Sequence, residues 1–157
     1  MKIAFMGTSN FAVPALDLLI DKAADIVCVV TKPDRPGGRG RKLIASPVKR
    51  LAEKKGIALF QPGNLRSEPF ISKFRGFMPD TIAVVAFGQI ISKEILEMPR
   101  FGCVNLHPSL LPKYRGAAPV NWAIINGERV TGVTTILMDE GIDTGDILLQ
   151  KEVTIEE

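Results

Sequence analysis

The 157-residue sequence predicts an α/β domain with a mostly parallel sheet and an antiparallel C-terminal end. Three observations lead there. Strand-like and helix-like segments alternate from Lys2 to Gly127, the pattern of parallel strands joined by crossover helices. The run Ile26, Val27, Val29, Val30 is β-branched, as a strand covered on both faces requires. Thr131 to Met138 and Asp146 to Thr154 are β-rich and joined by an Asp/Gly-rich stretch too short for a crossover helix, so they should pair antiparallel.

Each element has its own residues behind it. Lys2 to Gly7 reads as the first strand, and Asn10 is placed to cap a helix carrying Val13, Leu16, Leu19 and Ile20 on one face. Asp25 to Thr31 is the second strand. Ser46-Pro47 is a cap and first-turn pair opening a helix that ends at Gly56. Ala58 to Phe60 is a short strand, Ser67 to Arg75 a helix, and Asp80 to Ala86 a buried strand. Ser92 to Met98 forms a brief helix stopped by Pro99. Gly102 to His107 is a strand, and Ala118 to Asn126 a helix closed by Gly127.

An apolar content of 46% and a charged content of 24% describe an ordinary globular domain. No apolar run approaches the roughly 20 residues needed to span a bilayer, and MKIAFMG is followed by no signal-peptide cleavage pattern. The expectation is a cytoplasmic protein without membrane association. Cys28 and Cys103 lie in strand-like runs with no CxxC spacing, which argues against zinc and against a disulfide framework. The net charge of +3 is concentrated. Between Lys32 and Lys42 stand Lys32, Arg35, Arg39, Arg41 and Lys42 against one acid, Asp34, a local excess that points to an anionic partner. Its plain alternative is a solvated connection stiffened by Pro33 and Pro36. The chain ends on charged residues with no closing helix, so a truncated product is expected, with an uncovered sheet edge open to self-association.

The only histidine, His107, sits in Asn105-Leu106-His107-Pro108 at the end of a strand. Imidazole titrates near neutral pH, and alternation points Asn105 and His107 to the same side. Pro108 ends the strand there, at the sheet end where open α/β folds bind ligands. A structural histidine is the competing reading. Gly7-Thr8-Ser9-Asn10 carries one glycine and lacks GxGxxG, which argues against a dinucleotide. Gly37 to Lys42 lacks the Walker spacing, which argues against a nucleoside triphosphatase. Met138 to Asp146 holds four acids in nine residues, either a solvated turn or a source of one carboxylate facing His107. The loop Leu110 to Gly116 is stiff and partly apolar, suited to wall a flat ligand or to serve as a plain connection.

Together, NLHPSLLPKYRGAAPVNWAI and MDEGIDTGD resemble the formyltransferases that use 10-formyltetrahydrofolate. GTSNFAVPAL and TKPDRPGGRGRKLIASPVKRLA narrow the resemblance to those acting on methionyl-tRNA. The resemblance covers essentially the whole chain and implies a Rossmann-like fold. Residues 1–157 would be the folate-dependent domain, incomplete at its C-terminus and without the family's C-terminal tRNA-binding barrel. It implies a catalytic trio of Asn105, His107 and Asp143, with no metal. It implies a folate site near Phe87, Gly88, Gln89 and Ile90, bordered by Leu110, Leu111, Pro112, Asp139 and Gly141. Arg35, Arg39, Arg41 and Lys42 would contact tRNA in a segment expected to be poorly ordered without it. The alternatives are a formyltransferase for a small amine (an amino sugar or glycinamide ribonucleotide), a formyltetrahydrofolate hydrolase, and an inactive folate- or RNA-binding fragment.

Overall fold

Strand β1 (Lys2–Gly7) leads through a single 3-10 turn at Asn10–Ala12 into α1 (Val13–Asp21) and back into β2 (Asp25–Val30). Two short strands follow, β3 (Arg35–Gly37) and β4 (Lys42–Ile44), then α2 (Pro47–Lys54), β5 (Leu59–Phe60), α3 (Glu68–Arg75) and β6 (Thr81–Val85). The chain continues through α4 (Lys93–Leu96), β7 (Cys103–His107), α5 (Pro119–Ile125), β8 (Val130–Leu137) and β9 (Asp146–Thr154). This computed structural model describes residues 1–37 and 42–156; Arg39 and Arg41 lie outside the described residues.

The seven-stranded sheet has the order β5-β2-β1-β6-β7-β8-β9. Pairing is parallel from β5 to β7 and antiparallel from β7 to β9. The expected architecture is therefore present, with the strand order reversing direction at β1 and β6. Both faces are covered, which is why the parallel strands are apolar on both sides. In β1, Ala4 and Met6 join one core with Phe70, Phe74 and Ile95, while Phe5 joins the other with Leu16, Val48 and Ala52.

Gly7 is needed for packing. A Cβ there would lie 2.7 Å from the Phe5 ring, 2.9 Å from Ala12 Cβ and 3.1 Å from the Val85 carbonyl oxygen. The next residue stitches strand ends together: Thr8 Oγ1 donates to the Phe87 carbonyl at 2.9 Å and accepts from the Lys32 amide at 3.4 Å. Ser46 caps α2 as its sequence predicts, accepting from the Lys49 amide at 3.0 Å.

Two expectations need correction. Asn10 does not cap α1; it opens the 3-10 turn, and the helix begins at Val13 with no side-chain cap. Pro14 in the first turn lacks an amide hydrogen, so it removes one of the donors a cap would serve. The described part of the basic segment is also regular. Arg35–Gly37 pairs antiparallel with Lys42–Ile44. Asp34 anchors the entry to this hairpin, accepting from Lys49 Nζ at 2.6 Å and from Gln61 Nε2 at 2.7 Å. These partners hold the Asp34 carboxyl below its usual range, the Lys49 bond first.

Cys28 and Cys103 are buried and unpaired, and burial pushes both thiols up to about 12. A raised thiol pKa means less thiolate, roughly one in 10,000 at pH 8. Iodoacetamide at pH 8 should therefore leave both cysteines unmodified in the native chain and label both in urea. Rapid native labelling would contradict this burial. Among the described residues, no helix is long and apolar enough to cross a membrane.

Candidate active site

β7 carries Asn105 and His107 to the carboxyl end of the parallel strands, two residues apart and on one side. The third member comes from the β8–β9 connection. Asp143 lies there with a backbone φ of +52°, a left-handed conformation that Asp tolerates better than most residues. Its Oδ1 accepts from Asn105 Nδ2 at 3.2 Å, and its Oδ2 accepts from the Gly116 amide at 2.8 Å. The same Oδ2 stands 3.4 Å from His107 Nδ1. The other ring nitrogen, Nε2, donates to the Tyr114 carbonyl at 2.9 Å. One ring nitrogen is thus hydrogen-bonded and the other stands at ion-pair distance from a carboxylate. His107 is 4% exposed, so water does not substitute freely for these partners.

Left-handed backbone recurs along the loop after β7. Tyr114 at φ +57° and Ala118 at φ +55° join Asp143. Such conformations cost roughly 1–3 kcal/mol each and persist where surrounding contacts over-determine them. Here the loop after β7 bends so that the Tyr114 carbonyl reaches His107 and the Gly116 amide reaches Asp143.

The other three acids of the connection have separate work. Asp139 Oδ1 accepts from Thr144 Oγ1 at 2.7 Å and from the Gly141 amide at 2.9 Å, and the Thr144 bond leads in holding its carboxyl below the usual range. Glu140 is clasped by Lys93 of α4 at 2.7 Å. Asp146 opens β9. A β-bulge at Leu148, between the Thr135 and Ile136 pairings, displaces β9 beside the site. Gly145 lets the connection close: a Cβ there would collide with the Leu137 carbonyl. Gly145→Ala should lower stability by at least about 1–3 kcal/mol, read as a fall in the urea midpoint. An unchanged midpoint would show that the connection relaxes freely.

Four of the nine residues expected to hold folate divide between two clefts, and the other five line neither. Asp139 and Gly141 line one of about 450 Å³ with Lys93, Leu96 and Met138. Phe87 and Gly88 line another of about 450 Å³ with Thr8, Lys32, Arg35 and Ser46, at the reversal of strand order. Ile90 is 81% exposed and Gln89 half-buried. Leu110 lies against Gly132 of β8, Leu111 is buried, and Pro112 is exposed. Arg35 and Lys42 stand in the β3–β4 hairpin. Sequence reasoning missed Lys32 as a cleft residue and missed the backbone groups of Tyr114 and Gly116. It also missed Thr134 and Gln150, which bind the same loop. Among the described residues no group of three or more His, Cys, Asp or Glu is arranged to hold a metal ion.

Comparison with known proteins adds three findings. The family model described as "Formyl transferase" matches residues 1–157. Methionyl-tRNA formyltransferases of Clostridioides difficile and Clostridium novyi are 59% and 58% identical over 157 and 156 residues, 100% and 99% of this chain. The chain spans about half of these relatives, 51% and 50% of their lengths. Among solved structures, a phosphoribosylglycinamide formyltransferase from Bacillus halodurans superposes with a TM-score of 0.80 at 22% identity, covering 100% of this chain and 81% of that one. A glycinamide ribonucleotide transformylase from Geobacillus kaustophilus reaches 0.77 at 27% identity, covering 99% and 82%. The former shares the fold, and the Rossmann-like sheet with its antiparallel end is common ground. Fold and a match along the entire chain agree: this chain belongs to the formyl transferase family.

Proposed function

We propose that this chain is the formyl-transferring domain of an enzyme that moves a formyl group from 10-formyltetrahydrofolate to the amino group of methionyl-tRNA. The convergence of Asn105 and His107 on the Asp143 carboxylate carries the reading. Three functions are available from three adjacent side chains: an amide hydrogen-bond donor, an imidazole and a carboxylate.

The surroundings suit a folate. A pteridine needs flat apolar cover and polar groups along its edge, and the acidic connection offers Met138 beside backbone amides and carbonyls. When bound, 10-formyltetrahydrofolate supplies the formyl carbon that the amine attacks. The Asn105 amide has a second N–H beyond its bond to Asp143, free to serve the oxygen on which negative charge develops. His107, held between Asp143 and the Tyr114 carbonyl, is the second donor to that oxygen. Such stabilisation in a water-poor site is usually the largest catalytic contribution. Asp143 orients both donors and accepts or relays the proton that the attacking amine loses, which ends on the folate nitrogen as its bond to the formyl carbon breaks.

The cations support an RNA substrate. Lys32, Arg35 and Lys42 have no carboxylate within 4.0 Å among the described residues, whereas Lys49, Lys55, Lys93 and Lys113 are each paired. Desolvation, followed by the neighbouring Arg35, lowers the Lys32 ammonium below the usual lysine range. Phosphates would relieve that repulsion. The reading places the protein in the cytoplasm. It also leaves β9, exposed along its length at one edge of the sheet, open to pairing with a second copy. Sedimentation showing a monomer at all concentrations would remove the last point.

The deciding experiment supplies the full-length protein with 10-formyltetrahydrofolate and either charged or uncharged methionine tRNA. Formyl transfer is expected only to the charged form. Transfer to a small amine instead, or release of formate without any amine, would overturn the assignment in favour of another member chemistry.

A further inference from the structure

The site is braced from β9, by a row of three side chains that crosses the antiparallel end of the sheet. His107 on β7 pairs with Thr134 on β8, and Thr134 pairs with Gln150 on β9. Directly opposed residues in antiparallel strands share a face. Thr134 is completely buried, as is Ser109.

The Thr134 hydroxyl is fully engaged. It donates to the Ser109 carbonyl at 2.6 Å and accepts from the Leu111 amide at 3.1 Å and from Gln150 Nε2 at 3.0 Å. One donor and two lone pairs are all a hydroxyl has. Gln150 Nε2 also donates to the Leu111 carbonyl at 2.8 Å, so both backbone groups of Leu111 are held. Ser109 Oγ closes the loop on itself, donating to the Lys113 carbonyl at 2.6 Å. The next residues are those that touch the site: the Tyr114 carbonyl on His107 and the Gly116 amide on Asp143.

We infer that Gln150 and Thr134 are positioning residues, which hold the loop after β7 so that its backbone aligns His107 and Asp143. The inference rests on the proposed formyl transfer for its kinetic consequence but not for its structural one. Gln150 has no contact with the trio; it acts through Thr134 and Leu111. Replacing it removes the two hydrogen bonds that its amide donates.

The test uses Gln150→Leu, Thr134→Val and Thr134→Ser in the full-length protein. The NMR signals of the His107 ring are identified by their loss in His107→Gln. In Gln150→Leu and Thr134→Val, the ring nitrogen shifts should move and the Gly116 amide should exchange faster with solvent. The rate of formyl transfer should fall about 10- to 100-fold with folate affinity retained, since small displacements of reacting groups cost that much. Thr134→Ser keeps the hydroxyl and should restore both the NMR signature and the rate. Folded variants with wild-type His107 shifts and wild-type Gly116 exchange would overturn the inference. Gln150→Leu decides the matter alone if Thr134→Val does not fold. Absence of formyl transfer in the wild-type protein would overturn the functional reading only, because the NMR comparison stands without it.

Discussion

Replacing His107 with alanine in the full-length protein is expected to lower formyl transfer by about 100- to 1,000-fold, the usual cost of one donor to a developing oxyanion. Folate binding should change little, because His107 is buried between Asp143 and the Tyr114 carbonyl and is not among the residues lining either cleft. Asp143→Asn is the more discriminating variant. Asn accepts the left-handed backbone at φ +52°, so the β8–β9 connection keeps its path. Its amide, however, offers one acceptor oxygen where the carboxylate offers two. Asn105 Nδ2 and the Gly116 amide now each use a different oxygen, so one loses its partner. The negative charge facing His107 Nδ1 is lost as well. Single-turnover rates measured at saturating folate donor would separate these effects from binding. Near-normal rates in both variants, with the fold intact, would remove the trio from the chemistry.

Legibility in the sequence varied with the physics behind each feature. The parallel strands were readable because burial on both faces demands continuous β-branched runs, and Lys2–Gly7 matches its predicted limits. Asn105 and His107 were readable from strand parity and from Pro108, both local. Asp143 was not readable from spacing. It entered by resemblance alone, because nothing in an Asp/Gly-rich turn distinguishes one acid from three others until pairing places them. Thr134 and Gln150 depend on the register of three strands, which no single strand encodes. Tyr114 and Gly116 act through backbone atoms, so their side chains carry no trace of the role. The β3–β4 hairpin was hidden by Pro36 and the glycines, poor strand formers that pair here while Asp34 holds the entry to Lys49 and Gln61. The proposed folate residues were read as one neighbourhood, while the structure places Phe87 with Lys32 in one cleft and Asp139 with Lys93 in another.

Neutralising the basic segment should weaken RNA binding and flatten its salt dependence. The variant replaces Arg35, Arg39, Arg41 and Lys42 with alanine in the full-length protein. Each phosphate contact to a single-stranded acceptor end contributes about 0.7 to the slope of log affinity against log salt. If three of the four cations contact phosphate, the slope flattens by about 2, and affinity near 0.1 M salt falls about 100-fold. The β3–β4 pairing uses backbone groups, and Asp34 keeps Lys49 and Gln61 as partners, so the described part of the hairpin should persist without these charges. Removing the anchor with Asp34→Ala is the complementary change. It keeps every cation but frees the hairpin entry, so it should weaken binding with a nearly unaltered salt slope, because the number of released counterions is the same. The pair of variants separates charge from presentation. A salt slope unchanged by the fourfold substitution would reduce the segment to a solvated connection, and the case for tRNA over a small amine would lose its physical basis.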